Sequence, residues 1–306
     1  MNSSFEMTNH SSLNIGIIGT GKVGTALAVA LRRAGYNLGP VWSRSESKAA
    51  AAAALIGADS YSVHSMTDVA KNSDIIFITT TDNSIKTVAE NVDWKNGQFV
   101  VHCSGVHSLD VLSHASNLGA IPGSFHPCIP FPDFESAIIS LPGSTFAIEG
   151  GHNIAELLRK MAESLKCGSI FLSSGDKPFY HAAAVFVSNF MVAIVDSACK
   201  LLADIGVPSE AAINMLMPLM ESNLKNIGKI GTTAALTGPV ARGDTETIEK
   251  HLDSLGTKKP ELKELYIKLA ERTVFIAIQK GTLNKKSADK IMSILKKATL
   301  VNRGEL

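Results

Sequence analysis

Apolar and polar positions along the chain fall into two textures. Up to about Ser173, short β-branched runs alternate with segments of helical spacing. Leu13 to Ile18 is an apolar run that enters a glycine turn, and Val23 to Ala34 carries apolar residues at helical intervals. Val41-Trp42 reads as a short second strand and the alanine-rich Glu46 to Leu55 as a helix. Asp74 to Thr79 and Gln98 to Cys103 have the unbroken apolar pattern of buried strands, with helical segments at Ser84 to Val92 and Ser108 to Leu118. Ser144 to Glu149, a helix over Ile154 to Leu165, and Ser169 to Leu172 continue the alternation. Repeated β-α alternation predicts parallel strands with helices on both faces. Beyond Ser173 the strand pattern stops. Helices are predicted at Phe179 to Ile205, Ser209 to Ile227, Thr245 to Leu255, Glu261 to Gln279 and Ser287 to Ala298, with Pro260 at a favoured helix start.

The expected fold class is therefore α/β. An N-terminal, doubly wound, mainly parallel sheet of the Rossmann type (13–173) precedes an all-helical C-terminal domain (174–306). Residues 1–12, polar and serine-rich, are expected to be a disordered tail rather than a signal peptide.

Composition narrows the function classes. The 306 residues are 45% apolar and 19% charged, with a formal net charge of +1, so no broad basic field invites nucleic acid or an anionic membrane. No uninterrupted apolar stretch reads as a bilayer span. Cys103, Cys128, Cys167 and Cys199 are widely spaced, which fits a reducing cytoplasm and no metal knuckle. No metal is expected.

The first candidate chemistry is the loop Gly19-Thr20-Gly21-Lys22-Val23-Gly24, between a strand and a helix. Its three glycines permit the tight turn, the approach of a pyrophosphate and close helix–strand packing. At the end of the second strand, NAD sites place a carboxylate for the ribose hydroxyl. This chain has Ser43-Arg44-Ser45 and Lys48 there, groups that suit a 2′-phosphate. Glu46 is expected to face solvent. NADP(H) is the expected cofactor. Thr80, Thr81 and Asp82 end the next strand and are expected to line the same crevice, with Ser104 and Gly105 near the nicotinamide.

Three clusters suit the chemistry of a hydride-transfer site, which must orient a carbonyl and supply a proton. Ser104 follows one strand. His126, in Ser124-Phe125-His126-Pro127, follows another, and histidine titrates near neutrality. Lys177, His181 and Ser188 share one face of the predicted interdomain helix, with Asn189 next to it. Arg242, in the loop before the Thr245 helix, suits a substrate carboxylate, and Asp244 suits a helix cap.

The stretches His102 to Gly105, Ser124 to Pro127, Tyr180 to Phe190 and Leu236 to Leu252, with the glycine loop, resemble a known group. It is the Rossmann-like oxidoreductase family whose helical C-terminal part was long known as a domain of unknown function. That family lies within the 6-phosphogluconate dehydrogenase, pyrroline-5-carboxylate reductase and ketopantoate reductase superfamily. The resemblance implies NADPH-dependent reduction of a small carboxylic acid and a homodimer paired through the helical domain. Some members act as an alternative ketopantoate reductase in pantothenate synthesis, which makes 2-dehydropantoate the foremost expected substrate. A partial resemblance to prephenate dehydrogenases supports the placement of Ser104 and His126-Pro127.

In this reading Asn189 and Ser104 bind the carbonyl or hydroxyl, and Arg242 holds the carboxylate, with Lys177 and Ser188 also at the substrate. The proton donor stays open between His126, His181 and Lys177. The alternatives are an oxidoreductase of an imine or cyclohexadienyl acid, and a non-catalytic NADP-responsive binding protein.

Overall fold

The computed structural model describes residues 13–57 and 60–302, so the expected tail at 1–12 lies outside the described residues. The N-terminal elements are β1 (Asn14–Ile18), α1 (Lys22–Arg33), β2 (Asn37–Trp42), α2 (Glu46–Ile56), β3 (Tyr61–Ser62), α3 (Met66–Lys71), β4 (Ile75–Ile78) and α4 (Asp82–Glu90). They continue with β5 (Phe99–His102), α5 (Ser113–Asn117), β6 (Ile121–Pro127), α6 (Phe134–Ser140), β7 (Thr145–Gly150), α7 (His152–Ser164) and β8 (Gly168–Phe171). The remainder is helical: α8 (Lys177–Val187), α9 (Asn189–Ala203), α10 (Ser209–Ala235), α11 (Pro239–Arg242), α12 (Thr245–Lys258), α13 (Pro260–Lys280) and α14 (Lys285–Asn302).

The strands form one sheet in the order β3-β2-β1-β4-β5-β6-β7-β8. Neighbours are parallel except β6 and β7. This is the doubly wound arrangement expected from the alternation, with the chain reversing direction of winding between β1 and β4. The apolar runs form strands because both faces are covered. On β4, Ile75 and Phe77 join the core under α1 and α7, while Ile76 and Ile78 join the core under α3, α4 and α5. A strand with two buried faces needs apolar residues at every position, not at alternate ones.

Compact units divide at Met191/Val192. The helix opening the predicted C-terminal part, α8, thus packs within the first unit. The single helix expected over Phe179 to Ile205 is interrupted at Ser188, where the backbone (φ −106°, ψ −77°) stays in the right-handed region but is distorted enough to break the run into two helices. The second unit has its own core, in which Val240, Ile248, Leu252, Ile267, Val274, Ile291 and Leu295 pack together. Outside that core α9 buries none of its residues and α10 only Ala212. The run Lys177–Ala203 is, by length and composition, apolar enough to cross a membrane. It differs from the expectation of no such stretch, although Lys177, His181, Ser188, Asn189, Asp196 and Lys200 interrupt it.

Candidate functional site

At the carboxyl ends of β1, β2 and β4 lies a cleft of about 630 Å³. The glycine loop forms one wall. Gly19 has φ +106°, open to glycine at little cost, and a Cβ there would stand 2.8 Å from the Thr79 carbonyl carbon and the Thr80 nitrogen. A Cβ on Gly24 would collide with the Gly19 carbonyl oxygen and Thr79 Oγ1. Gly21 differs from both, because a Cβ there meets no atom within 4 Å. Packing explains Gly19 and Gly24, and it does not explain Gly21. Its open side leaves room for a ligand to come up to the backbone.

Gly21 caps α1 in extended geometry, with no side-chain cap and no acidic residue in the first turn. Thr20 Oγ1 and Thr80 Oγ1 are buried without a hydrogen-bond partner. Two such orphans in the cleft lining, with a helix N-terminus that has no side-chain cap, suit the oxygens of a pyrophosphate. The opposite wall carries Ser43, Arg44 and Lys48, with Trp42, Met66, Thr87 and Val88 completing an apolar side. Among the described residues no carboxylate lines the cleft, and the Glu46 side chain is 87% exposed beside His64. The residues fit a dinucleotide that carries a third phosphate.

Other expected cofactor residues stand elsewhere. Ser45 caps α2, its Oγ accepting from the Lys48 N–H at 3.4 Å. The Lys22 ammonium donates to the Pro132 carbonyl at 2.5 Å, and Val23 lies half-buried on α1. Thr81 lines the cleft and Asp82 does not: Asp82 is exposed in the first turn of α4. Ser104 and Gly105 also lie outside this cleft. The Ser104 hydroxyl is buried and accepts from the Val106 and His107 N–H groups at 3.2 and 3.1 Å, which assigns it to its own turn.

A second cluster sits at the ends of β5 and β6, on the same edge of the parallel sheet. His126 Nδ1 is 2.8 Å from the Tyr180 hydroxyl, and its ring centroid is 6.2 Å from that of His181. Gly105 makes this approach possible, since a Cβ there would lie 2.8 Å from His126 Nε2. Burial pushes His126 down to about 4, with the Lys177 cation adding to it. Burial also holds the Tyr180 hydroxyl well above the usual phenol range. The pair is therefore neutral at physiological pH, with a hydrogen bond fixed between its members.

Lys177, an expected substrate contact, turns its ammonium inward. It is fully buried, and its ammonium donates to the Ser104 carbonyl at 2.7 Å and to Ser124 Oγ. Ser188 stands at the break between α8 and α9, so it does not continue the face of Lys177 and His181; Asn189 is exposed as the first residue of α9. Arg242 is exposed at the end of α11 in the second unit, and Asp244 caps α12 by accepting from the Thr247 N–H at 3.1 Å.

Three residues of these clusters escaped the sequence reading. Tyr180 precedes His181 and carries no signal by itself. Ser124 was read only as a neighbour of His126. Glu149 ends an apolar strand, and a carboxylate inside such a run is a legible sign of a buried partner.

The Rossmann-like domain family matches residues 2–127, and DUF2520, a domain of unknown function, matches residues 144–273. No curated protein matches the chain. Among solved structures the chain is similar to a Bacteroides fragilis protein described as an NADP oxidoreductase, at 24% identity and a TM-score of 0.68, over 86% of this chain and 98% of that one. It is also similar to a Thermotoga maritima protein at 25% identity and a TM-score of 0.67, over 85% of this chain and 98% of that one. A 1-pyrroline-5-carboxylate reductase of Streptococcus pyogenes shares the fold at 17% identity and a TM-score of 0.60, over 92% and 98% of the two chains.

Proposed function

We propose that this chain, whose two parts match a Rossmann-like domain and DUF2520, is an NADPH-dependent reductase of a small 2-oxo acid, with 2-dehydropantoate (ketopantoate) as the foremost substrate. The observation that carries this reading is the cleft with unexplained Gly21, orphaned Thr20 and Thr80 hydroxyls, and a wall of Ser43, Arg44 and Lys48 without a carboxylate. Similarity to a protein described as an NADP oxidoreductase supports it.

Gly19, Thr20 and Gly21 would hold the pyrophosphate, and Ser43, Arg44 and Lys48 the 2′-phosphate. When bound, the reduced nicotinamide supplies hydride to a carbonyl carbon. The carbonyl oxygen then takes one proton to become a hydroxyl, and the chain must deliver it. The neutral His126–Tyr180 pair would serve as hydrogen-bond donor to that oxygen, passing a proton to the forming alkoxide and regaining one from solvent, with each ring orienting the other. His181 and Asn189 would orient the substrate oxygen. In this reading the protein works in the cytoplasm as a homodimer, which would cover the exposed apolar residues of α9 and α10, such as Val192, Leu219 and Leu224.

Steady-state oxidation of NADPH with ketopantoate tests the proposal, and absence of turnover by folded protein at high substrate would sink that substrate. A second reading, reduction of a cyclic imine, draws support from the fold shared with the pyrroline-carboxylate reductase. A panel of cyclic imines in the same assay separates the two.

A further inference from the structure

A polar row crosses the apolar sheet. His102 on β5 pairs in register with Ser124 on β6, and Ser124 with Glu149 on β7. Register partners send their side chains to the same face. All three residues are buried, and both His102 Nε2 and Glu149 Oε2 lack a hydrogen-bond partner. The first residue of α8, Lys177, enters this row with its side chain fully buried. Its ammonium donates to the Ser104 carbonyl, just past β5, and to Ser124 on β6.

A buried cation is costly unless polar groups and an opposite charge compensate it. Here the compensation doubles as a fastening. Tyr180 and His181 follow Lys177 by three and four residues, so they lie one turn further along the same side of α8. Fixing Lys177 fixes the rotation of the helix about its axis. That rotation places the Tyr180 hydroxyl 2.8 Å from His126 Nδ1.

We propose that Lys177 is a positioning residue for the His126–Tyr180 pair: its ammonium ties the first turn of α8 to β5 and β6 and sets one fixed positive charge beside the pair. The use of the pair in proton delivery rests on the reductase reading; the tie and the charge do not.

The electrostatics agree with the geometry. Burial lowers Lys177 to about 8, and the Glu149 carboxylate works against that fall, so the amine stays largely protonated at neutrality. The groups that act on His126 come from every side. Lys177, Tyr180 and His181 face it from α8, Asp82 from α4 and His102 from β5, and Cys128 lies just past β6 near Tyr180. Among them Lys177 is the cation, and it disfavours a second positive charge on the imidazole.

The test is NMR of ring-labelled histidine in the full chain, with the His126 signal assigned by His126→Gln. In the wild type, the His126 signal should shift with a midpoint near 8, where Lys177 loses its proton. In Lys177→Arg, which keeps the charge, that step should vanish while His126 stays neutral down to its low midpoint. In Lys177→Met combined with Glu149→Gln, which removes the cation and its carboxylate together, the step should vanish and the midpoint of His126 should rise by about one unit. A wild-type trace without the step near 8, or an unmoved His126 midpoint in the folded double variant, overturns the inference. If the double variant does not fold, the wild-type and Lys177→Arg traces decide. Absent NADPH turnover with an intact step discards the reductase reading and leaves the tie in place.

Discussion

Arg44 is the residue on which the choice of dinucleotide turns. It stands exposed in the cleft lining with Ser43 and Lys48, and among the described residues no carboxylate lines that cleft. A guanidinium grips a phosphate through paired, charge-assisted hydrogen bonds, which are worth more than neutral ones. Arg44→Ala should weaken NADPH binding roughly ten- to a hundredfold and leave NADH binding unchanged, as read by calorimetry. Equal losses for both cofactors would remove Arg44 from the 2′-phosphate. Acid stability also belongs to single residues. Burial, with Lys177 next in weight, lowers His102 to about 3 and His126 to about 4, both from an ordinary value of 6.5. Between those values the unfolded chain binds more protons than the folded one, so stability rises with pH across the window. Stability should therefore be full above about 6.5 and fall as pH drops toward 4, in urea midpoints measured along the series. His102→Asn should flatten that slope; an unchanged slope would mean that the His102 ring is not held neutral.

The glycine loop and the helix after it show what an element carries. Gly24 and Gly21 belong to one sequence pattern and have different causes. Gly24→Ala drives a methyl into the Gly19 carbonyl and Thr79, and overpacking of this kind costs about 1–3 kcal/mol. Gly21→Ala meets nothing within 4 Å, so its melting temperature should match the wild type while NADPH binding weakens. If Gly21→Ala binds NADPH normally, the pyrophosphate does not lie where the loop suggests. The strands of this region were legible because each is buried on both faces, so Ile75 to Ile78 form an unbroken apolar run. The two-residue β3 was not, since Tyr61-Ser62 is exposed and too short for any period. The break at Ser188 was also hidden. Val187, Ser188 and Asn189 are weak helix formers, but the apolar pattern runs on across them, and the departure lies in backbone angles that this pattern does not encode.

At the scale of the whole chain, the same limit applies to the candidate site. The dinucleotide cleft was expected from the sequence because most of its lining comes from three segments at strand ends, at Gly19, Ser43 and Thr79. The His126–Tyr180 pair could not, since its members are 54 residues apart and only the packing of α8 on β6 joins them. The burial of Lys177 was hidden for the same reason: helical spacing puts it on a face with His181 but does not say that its side chain is buried. The exposed apolar residues of α9 and α10 make the other prediction at this scale. Sedimentation velocity should give a dimer, and Leu219→Glu with Leu224→Glu, both on exposed positions of α10, should give a folded monomer. A wild-type monomer at micromolar concentration would contradict the pairing.

The central claim, reduction by NADPH, is tested most directly by following NADPH absorbance with ketopantoate and a panel of 2-oxo acids and cyclic imines. The account predicts oxidation of NADPH that depends on one of these substrates, strongest with ketopantoate, and little activity with NADH. Tight NADPH binding by calorimetry, with no oxidation against any member of the panel, would contradict it and leave a nucleotide-binding protein without this chemistry.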